Sequence, residues 1–557
     1  MYRALVVGSL AGLLAANALA QQVPTPGSVQ DPLRQQRPTV PTTDQERPRV
    51  SSEQAPVASQ VPPGGKAIRI QRFDISGNYS LPPDELSALV APYEGRELTL
   101  LEIYDVADVI TRHYRDLGYT VATCTVPAQQ ISSGTVRLEV IEGRVENVRL
   151  EGNRRYRESF LNQELQGLAP GAVITDNLLH RELDGLNQLP GLSARAVIQP
   201  GTGYGQSDIV IRASEDPVSG SVRVNNYGRT SIGEWRMEGD IAFNSPLGIG
   251  DRLAFSVVQA EGDHLNYYSG RYGFQLPPGM GDGRVITYYS RFDYDVDSTE
   301  LPPGLQGLNL LGDGENFGVT FSRRFYPTDN GTLNLSLGLD RTVTWQETGS
   351  ALTREKRDLN LVVLSGSYSM NHARSFTSIG GSFSTNFDNN VRNPLTQVPE
   401  NNAQTGKFRF DIGHFRSLND YWALVVRATG VAALDQLVDL EQYRIGGREN
   451  VRAYASSELA GDAGYAVSLE LRRRLPVVMN LAGQFYLFAD SATVFHYDSE
   501  LLNTPDNESL SGFGAGLDLT LFERIGINVE IARRLGDRLS VDGRDDVRGW
   551  FGMSVNF

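Results

Sequence analysis

The chain has 557 residues, enough for roughly three or four domains, and a formal net charge of −15 that argues against a nucleic-acid-binding protein. Its single cysteine, Cys124, excludes a disulfide framework and a cysteine-based zinc site, and six histidines leave little material for metal or catalytic chemistry. No stretch of 18 or more apolar residues follows the first 20 positions, which excludes a helical membrane protein. We therefore expect no enzyme, no cofactor and no metal site.

Residues 1–20 have the pattern of a signal peptide for export. Arg3 supplies the positive start, an apolar run follows, and Ala18-Leu19-Ala20 matches the small-x-small cleavage pattern. Residues 21–65 hold nine of the chain's 27 prolines and no aromatic residue, so they are predicted to form a linker. Within it, disorder is favoured for Ser28–Gln36, and the alternative is a short helix with Pro32 tolerated only in its first turn.

Residues 66–143 and 144–215 are predicted to be two copies of one module, because Phe73–Asn78 returns as Val148–Asn153. Each copy begins with a strand that ends in a Gly-Asn turn, continues with two helices, and closes with two strands. The predicted segments are 68–75, 83–91, 100–117, 120–126 and 135–141, and then 145–151, 158–165, 176–189, 194–199 and 208–213. This order, run twice, resembles the polypeptide-transport-associated (POTRA) domain, whose sheet edge can accept an extended peptide. Two spacer domains without a binding role are the alternative.

Residues 216–557 alternate between apolar and polar side chains, as Leu333, Leu335, Leu337 and Leu339 do. Period two gives one apolar and one polar face. Export, charges along the polar face, and 39 of the 49 aromatic residues, including all four tryptophans, favour an outer-membrane barrel over a soluble sandwich. Its length suits about 16 antiparallel strands.

The alternation also assigns faces. Phe292 and Tyr294 fall on the apolar face, whereas Arg291 and Asp293 fall on the polar face predicted to line the lumen. The tryptophans are expected in aromatic girdles at the two membrane interfaces.

The C-terminus ends on an alternating strand with an aromatic residue last. Met553, Val555 and Phe557 share one face of this strand. This ending looks like the signal by which outer-membrane barrels are recognised for insertion.

The signal peptide, proline-rich linker, two POTRA-like repeats and C-terminal barrel together resemble the TpsB family of outer-membrane transporters in two-partner secretion. The resemblance implies an all-β transmembrane barrel preceded by two α+β domains in the periplasm of a Gram-negative bacterium. It implies that the POTRA domains capture an unfolded partner protein and that the barrel is the pore for its secretion. An outer-membrane insertion or assembly factor of the same superfamily is the alternative.

The implied partners are a secreted exoprotein of the adhesin or haemolysin type, outer-membrane lipid, and the barrel-assembly machinery during biogenesis. A helix in the 28–36 region could close the resting pore, as it does in some family members.

Two motifs sharpen the resemblance. The first is Val451-Arg452-Ala453-Tyr454, which follows a glycine pair, Gly446 and Gly447, that allows a tight reversal. It is similar to the family's loop-six motif, Val-Arg-Gly followed by Tyr or Phe. The resemblance implies that this loop folds back inside the barrel with Arg452 at its tip.

The second motif, Phe488-Ala489-Asp490-Ser491-Ala492, resembles the family's Phe-x-Asp-x-Gly strand signature, whose Asp faces inward. The resemblance implies that Asp490 is the barrel-wall partner of Arg452, because a buried guanidinium needs a carboxylate. The alternative is that Asp490 is one lumen-facing charge among many. Ala453 and Ala492 stand where the family usually has glycine, so their methyl groups narrow the backbone choices at this contact.

Overall fold

The computed structural model describes residues 24–34, 50–52, 67–131, 133–276, 283–301, 306, 309–328, 330–349, 353–386, 406–497, 505–538, 540–543 and 546–557. The predicted signal peptide, 1–20, lies outside these residues. The chain divides into two compact units, and the first contains helix α1 (Pro26–Arg34) together with Val218–Asn244 and Asp251–Phe557. The second contains Glu46–Pro217 and Ser245–Gly250. Within the described ranges, every helix is too short or too polar to cross a membrane.

The second unit contains two α+β modules preceded by a short strand, β1 (Val50–Ser52). The first module comprises β2 (Ile68–Arg69), β3 (Arg72–Ser76), α2 (Pro83–Val90), β4 (Glu97–Leu98), α3 (Leu100–Asp116), β5 (Thr123–Thr125) and β6 (Thr135–Ile141). The second comprises β7 (Arg144–Glu151), α4 (Glu158–Glu164), α5 (Asp176–Asn187), β8 (Leu192–Pro200) and β9 (Gln206–Glu215). Short 3-10 turns follow α2 (Ala91–Tyr93) and α4 (Gln166–Leu168).

The two modules share one sheet topology. In the first, β3 runs parallel to β6, and β5 is antiparallel to β6. In the second, β7 runs parallel to β9, and β8 is antiparallel to β9. The long helix of each module packs its apolar face on the sheet, and the predicted helices agree with the structure within two residues at each end.

The predicted first strand, 68–75, is wrong in one respect, because it forms two strands with different partners. β2 pairs with β4, and β3 pairs with β6. Between them the fully buried Ile70 donates its backbone N–H to the carbonyl of Arg96, 2.8 Å away. Alternation alone does not reveal this exchange of partners.

The Gly-Asn turns that revealed the repeat have the same conformation in both modules. Gly77 has φ +83° and Gly152 has φ +89°, a region that favours glycine. A Cβ on either residue would collide with a carbonyl of the neighbouring strand, Val140 or Ala213. The repeated glycine therefore marks a close backbone approach that each module needs.

Cys124 is buried in the first module and packs against its core. Burial raises the pKa of its thiol to about 12, and the nearby Asp108 carboxylate adds to the rise. Because the thiolate is the reactive form, we expect a maleimide at pH 7.5 to label the native protein only slowly and to label it fully once this module is unfolded in urea. An exposed control, Ser87→Cys, should react at once; equally fast labelling of native Cys124 would contradict the burial.

β1 adds to the sheet of the second module at its β8 edge. Val50, Ser51 and Ser52 pair in parallel with Ala196, Val197 and Ile198. This edge therefore already holds an extended segment of the chain's own linker as an additional strand.

Sixteen antiparallel strands close the barrel of the first unit. They are β10 (Val218–Asn225), β11 (Arg236–Asn244), β12 (Arg252–Ala260), β13 (Leu265–Gln275), β14 (Gly283–Asp295), β15 (Leu310–Thr328), β16 (Gly331–Thr348), β17 (Thr353–His372), β18 (Ser375–Asn386), β19 (Gly406–Ser417), β20 (Trp422–Ala433), β23 (Ala463–Arg474), β24 (Leu481–Phe495), β25 (Asn507–Leu521), β26 (Ile525–Leu535) and β27 (Val547–Asn556). The two remaining strands, β21 (Tyr443–Ile445) and β22 (Leu459–Gly461), pair with each other between β20 and β23. Four 3-10 turns lie in connections: Thr230–Ile232, Glu261–Asp263, Ser298–Glu300 and Asp439–Glu441.

The outer face carries the predicted apolar band. Leu335, Leu337 and Leu339 are 44 to 55% exposed in the isolated chain, as lipid-facing residues should be. The C-terminal strand follows the same rule, because Met553, Val555 and Phe557 are 40, 40 and 60% exposed.

Two face assignments were wrong. Phe292 and Tyr294 point into the barrel, where they are buried against Val29 of α1, while Arg291 on the same strand points outward. Trp550 also points inward and is 2% exposed, so it does not belong to an aromatic girdle. In both places the lumen is filled by other parts of the chain, so apolar side chains can face it.

Candidate functional site

Loop six, residues 434–462, connects β20 to β23 and folds into the barrel. Its reversal depends on the glycine pair: Gly446 has φ +101° and Gly447 has φ +95°. A Cβ on Gly446 would lie 2.5 Å from the carbonyl oxygen of Ala455. The Gly447 N–H donates to the carbonyl of Tyr454 at 3.1 Å, which closes the tip.

Asn450 shapes the same tip, although the sequence assigned it no role. Its side-chain oxygen accepts the N–H groups of Gly446 at 2.6 Å and Val451 at 2.8 Å. Its amide nitrogen donates to the carbonyl of Arg444 at 3.3 Å. These bonds replace the backbone pairing that a tight reversal cannot make.

Arg452 reaches the barrel wall and meets Asp490 in a bidentate pair. Nε donates to Oδ2 at 2.8 Å and Nη2 donates to Oδ1 at 2.7 Å, while the backbone N–H of Arg452 also donates to Oδ2 at 3.2 Å. The guanidinium carbon lies 3.5 Å from the ring centroid of Phe488. The structure thus brings together Arg452, Asp490 and Phe488, the residues on which the two sequence motifs centre.

Two further carboxylates receive Arg452, and the sequence analysis missed both. Nη1 donates to Glu470 at 2.9 Å and to Glu530 at 3.3 Å, and Nη2 also donates to Ser468 at 3.0 Å. Arg452 is 1% exposed and Glu470 and Glu530 are equally buried. Loop six is therefore held by three wall strands, β23, β24 and β26, through one side chain.

The charges around Arg452 alternate in sign. Arg448 contacts Glu530, Arg427 and Arg472 contact Glu470, and Arg472 also contacts Asp518; these ion pairs are 2.6 to 3.2 Å long. Four arginines thus face these four carboxylates, and a fifth, Glu449, lies 3.9 Å from Arg448. Pairing of opposite charges makes burial of so many of them tolerable. Strand alternation places the wall residues in the lumen, but only the closed barrel reveals which of them share one partner.

The tip packs as tightly as a protein core. Val451, Ala453 and Tyr454 are buried, and Ala492 on the wall is fully buried. Three successive lumen-facing positions of β25 are glycines. A Cβ on Gly512 would lie 2.5 Å from Cβ of Ala453, and one on Gly516 would collide with Tyr486. One on Gly514 would collide with the backbone carbonyl of Ile531 and also lie 2.5 Å from the Phe488 ring. We call Gly512, Gly514 and Gly516 the glycine track. The space that Ala453 needs is supplied by Gly512.

This complementarity predicts a rescue. Gly512→Ala should overpack the contact and lower the free energy of unfolding by about 1–3 kcal/mol. It should reduce secretion, and it should lower the temperature at which the folded form disappears in a heat-modifiability gel assay. Ala453→Gly in the same chain should restore part of the loss, because the new Cβ would still lie 3.0 Å from the carbonyl oxygen of Arg533. Gly549→Ala is the control, because a Cβ there has no neighbour within 4 Å. A neutral Gly512→Ala, or a double variant no better than the single, would contradict the fit.

Loop six also holds the strands at which the barrel closes. The pairing of β10 with β27 starts where Gly220 exchanges backbone hydrogen bonds with Phe557, continues through Ser221–Asn556 and ends at Asn225–Gly552. Beyond that point, the Trp550 indole donates to the carbonyl of Arg452 at 2.8 Å, and Ser456 donates to the carbonyl of Tyr227 at 3.1 Å. The Arg448 guanidinium lies 4.5 Å from the centroid of the Tyr227 ring. Loop six thus contacts both sides of the closing seam.

Helix α1 lies in the lumen against loop six. Asp439 accepts bonds from the Thr25 hydroxyl at 3.0 Å and from the Gly27 N–H at 3.2 Å, at the start of the helix. Arg444 and Arg357 pair with the same carboxylate. Gly27 has no room for a side chain, since a Cβ would lie 2.6 Å from the carbonyl oxygen of Asp439.

A helix is therefore present in the 28–36 region, where disorder was favoured over it; the helix begins earlier than Ser28, at Pro26, and Pro32 lies beyond its first turn. Proline has no N–H, so the carbonyl of Ser28 lacks its partner within the helix. The Ser457 hydroxyl of loop six donates to that carbonyl at 3.2 Å. Farther along the helix, Gln30 donates to Asn316 of β15 at 2.5 Å.

Comparison with known families decides the identity. The family described as haemolysin secretion/activation protein ShlB/FhaC/HecB matches residues 205–519, more than half of the chain. The chain belongs to this family. The ShlB-type POTRA domain matches residues 68–143.

Individual relatives are similar over most of their length. The heme/hemopexin transporter protein HuxB of Haemophilus influenzae strain 86-028NP is 24% identical over 86% of this chain and 85% of the relative. The outer membrane transporter CdiB of Dickeya dadantii strain 3937 is 22% identical over 85% of this chain and 83% of the relative. The structure of CdiB from Escherichia coli shares the fold, with a TM-score of 0.67, 21% identity, and coverage of 90% of this chain and 93% of that one.

This ShlB/FhaC/HecB protein is an outer-membrane transporter of the two-partner secretion route, with its POTRA domains in the periplasm. The predicted family, fold class and localisation are confirmed. Transport rather than catalysis is the activity of the family. The family assignment favours secretion over the assembly-factor alternative.

Proposed function

We propose that this transporter secretes one large partner exoprotein, and that the structure corresponds to its closed resting state. The observation that carries the proposal is the position of loop six, held in the lumen by Arg452 with α1 packed against it. Both would obstruct an extended chain. Secretion therefore requires loop six, α1 or both to move, and the contacts described above set the energy of that movement.

The β8 edge of the second POTRA module is our candidate for capturing the partner. β1 shows that this edge accepts an extended strand. A segment of unfolded cargo could bind there through main-chain hydrogen bonds, which make few demands on sequence. Cargo would then compete with the linker for one edge.

A photo-cross-linking amino acid on this strand tests the capture step. Placed at the exposed Arg195, it should cross-link to the linker at rest and to the partner during secretion. The control position is Ser87, on a helix of the first module. Cargo adducts at Ser87 and none at Arg195 would show that capture occurs elsewhere.

The partner is proposed to be an exoprotein of the adhesin or haemolysin type. Among the relatives, HuxB is named for heme and hemopexin, and a hemolysin transporter protein, HpmB of Proteus mirabilis, is 25% identical over 51% of this chain. Co-expression with the exoprotein encoded beside the transporter tests this: the exoprotein should reach the medium only when the transporter is present. Outer-membrane lipid and the barrel-assembly machinery are the other proposed partners.

The C-terminal residues Met553, Val555 and Phe557 are proposed to be the insertion signal read during biogenesis. Their side chains point outward, and Phe557 exchanges two backbone hydrogen bonds with Gly220 of the first strand. The signal and the closure of the barrel thus use the same strand.

A further inference from the structure

Three consecutive connections on the periplasmic rim carry exposed apolar side chains. β10 follows the POTRA modules, so the connections β19–β20, β23–β24 and β25–β26 lie on the periplasmic side. They expose Leu418 and Tyr421, then Val477, Val478 and Met479, then Phe522, at 49 to 93% of their surface. We call these six residues the apolar crest.

The crest is one continuous surface. The N–H of Arg474 donates to the carbonyl of Tyr421 at 2.8 Å, which joins the first connection to the second. The N–H of Phe522 donates to the carbonyl of Asn480 at 3.0 Å, which joins the second to the third. Phe557 follows at the next strand end, where the N–H of Asn556 donates to the carbonyl of Arg524 at 2.9 Å.

The backbone of two of these turns is strained to present the side chains. Met479 has φ +47° and Phe522 has φ +51°, values that side chains of this size rarely adopt. Exposed turns at such angles usually carry Gly, Asn or Asp. An apolar residue at both tips costs free energy in water, so the surroundings of the tips must compensate.

The crest continues the lipid-facing band of the barrel. A Cβ added to Gly483, on the outer face of β24, would contact Leu519 of β25 and Leu475, which leads into the second turn. Arg473 of β23 pairs with Trp422 of β20, and its guanidinium lies 5.6 Å from the centroid of the Trp422 ring. Tryptophan and arginine together are typical of the boundary between acyl chains and headgroups.

We propose that the apolar crest inserts into the headgroup layer of the inner leaflet of the outer membrane and fixes the depth of this side of the barrel. Continuity with the lipid-facing band favours phospholipid over a protein partner as the occupant. The β15–β16 connection is the contrast, since its described residue, Asn330, is polar. The barrel is then anchored more deeply on the β19–β26 side than at that connection.

Depth-dependent quenching tests the proposal without any cargo, so its outcome is independent of the proposed function. Met479→Cys and Asn330→Cys are each labelled with an environment-sensitive fluorophore and reconstituted in phosphatidylethanolamine–phosphatidylglycerol vesicles. Native Cys124 stays in place because it is buried, and the unsubstituted protein measures its background. Heat-modifiable migration on gels confirms that each variant has inserted.

We expect a headgroup-proximal spin-labelled lipid to quench the probe at position 479 several-fold more than the probe at 330, and aqueous iodide to do the reverse. Equal iodide quenching at both positions would overturn the proposal. So would a probe at position 479 that neither the spin-labelled lipid nor iodide quenches, because a protein surface would then be covering the crest.

Discussion

Arg452→Ala is expected to lower secretion of the partner exoprotein at least about tenfold while the barrel still inserts in the membrane. The substitution leaves Asp490, Glu470 and Glu530 buried without their shared cation. Breaking a buried pair in this way costs about 3–5 kcal/mol, which depopulates the docked loop roughly a hundredfold or more. A loop detached from the wall obstructs the lumen in no fixed position and no longer contacts both sides of the closing seam, so we expect secretion to fall even though the loop must move when cargo passes. Secretion assays with matched outer-membrane levels measure the effect.

Two comparisons separate charge from geometry. Arg452→Lys keeps the charge but loses the bidentate pair, so its secretion should fall between the parent and the alanine variant. Arg533→Ala is the control, because this arginine is exposed and 3.9 Å from its nearest acid, Asp546. Normal secretion by Arg452→Ala would remove loop six from the mechanism.

The structure also revises the obvious charge-swap experiment. Exchanging Arg452 and Asp490 should restore function if they formed an isolated pair. An aspartate at 452 would instead face Glu470 and Glu530 at close range. We therefore expect the double variant to secrete no better than Arg452→Ala.

Removing α1 is expected to have the second large effect, on pore conductance. A chain without residues 24–34 should conduct ions in planar bilayers more often and at a higher level, because the lumen loses the helix that fills it. Asp439→Asn should give an intermediate increase, since it weakens the contacts with Thr25, Gly27, Arg357 and Arg444 together.

The neighbouring Asp435 provides the matched control, because it is exposed and, among the residues that the structure describes, accepts a bond only from the adjacent Gln436. Asp435→Asn should conduct like the parent. If deletion of the helix leaves conductance unchanged, the obstruction is loop six alone.

Much of the fold was predictable because short-range patterns encode it. The Gly-Asn repeat, the helical spacing in the modules and the period-two alternation each depend on neighbours in the chain. The same is true of the loop-six reversal, since two successive glycines with positive φ need no distant partner. The pairing of Arg452 with Asp490 was then predicted from the resemblance to the family.

What the sequence did not reveal depends on which strands meet across the lumen. Glu470, Glu530 and Trp550 are ordinary members of alternating strands until the barrel closes around loop six. Phe292 was assigned to lipid for the same reason: nothing local indicates that α1 will cover it. Alternation predicts two faces, but the contents of the lumen decide which apolar residues face inward.

The glycine track has a consequence for exchanging parts between relatives. Gly512, Gly514 and Gly516 are not among the polar contacts of loop six, yet their missing side chains leave the space that Ala453, Phe488 and Tyr486 occupy. If loop six were transplanted without β25, Arg452 would bring the right charge, but Ala453 would lack the space that Gly512 provides. Loop six and β25 must therefore be exchanged together. A survey restricted to charged or hydrogen-bonding residues would overlook the glycines of β25.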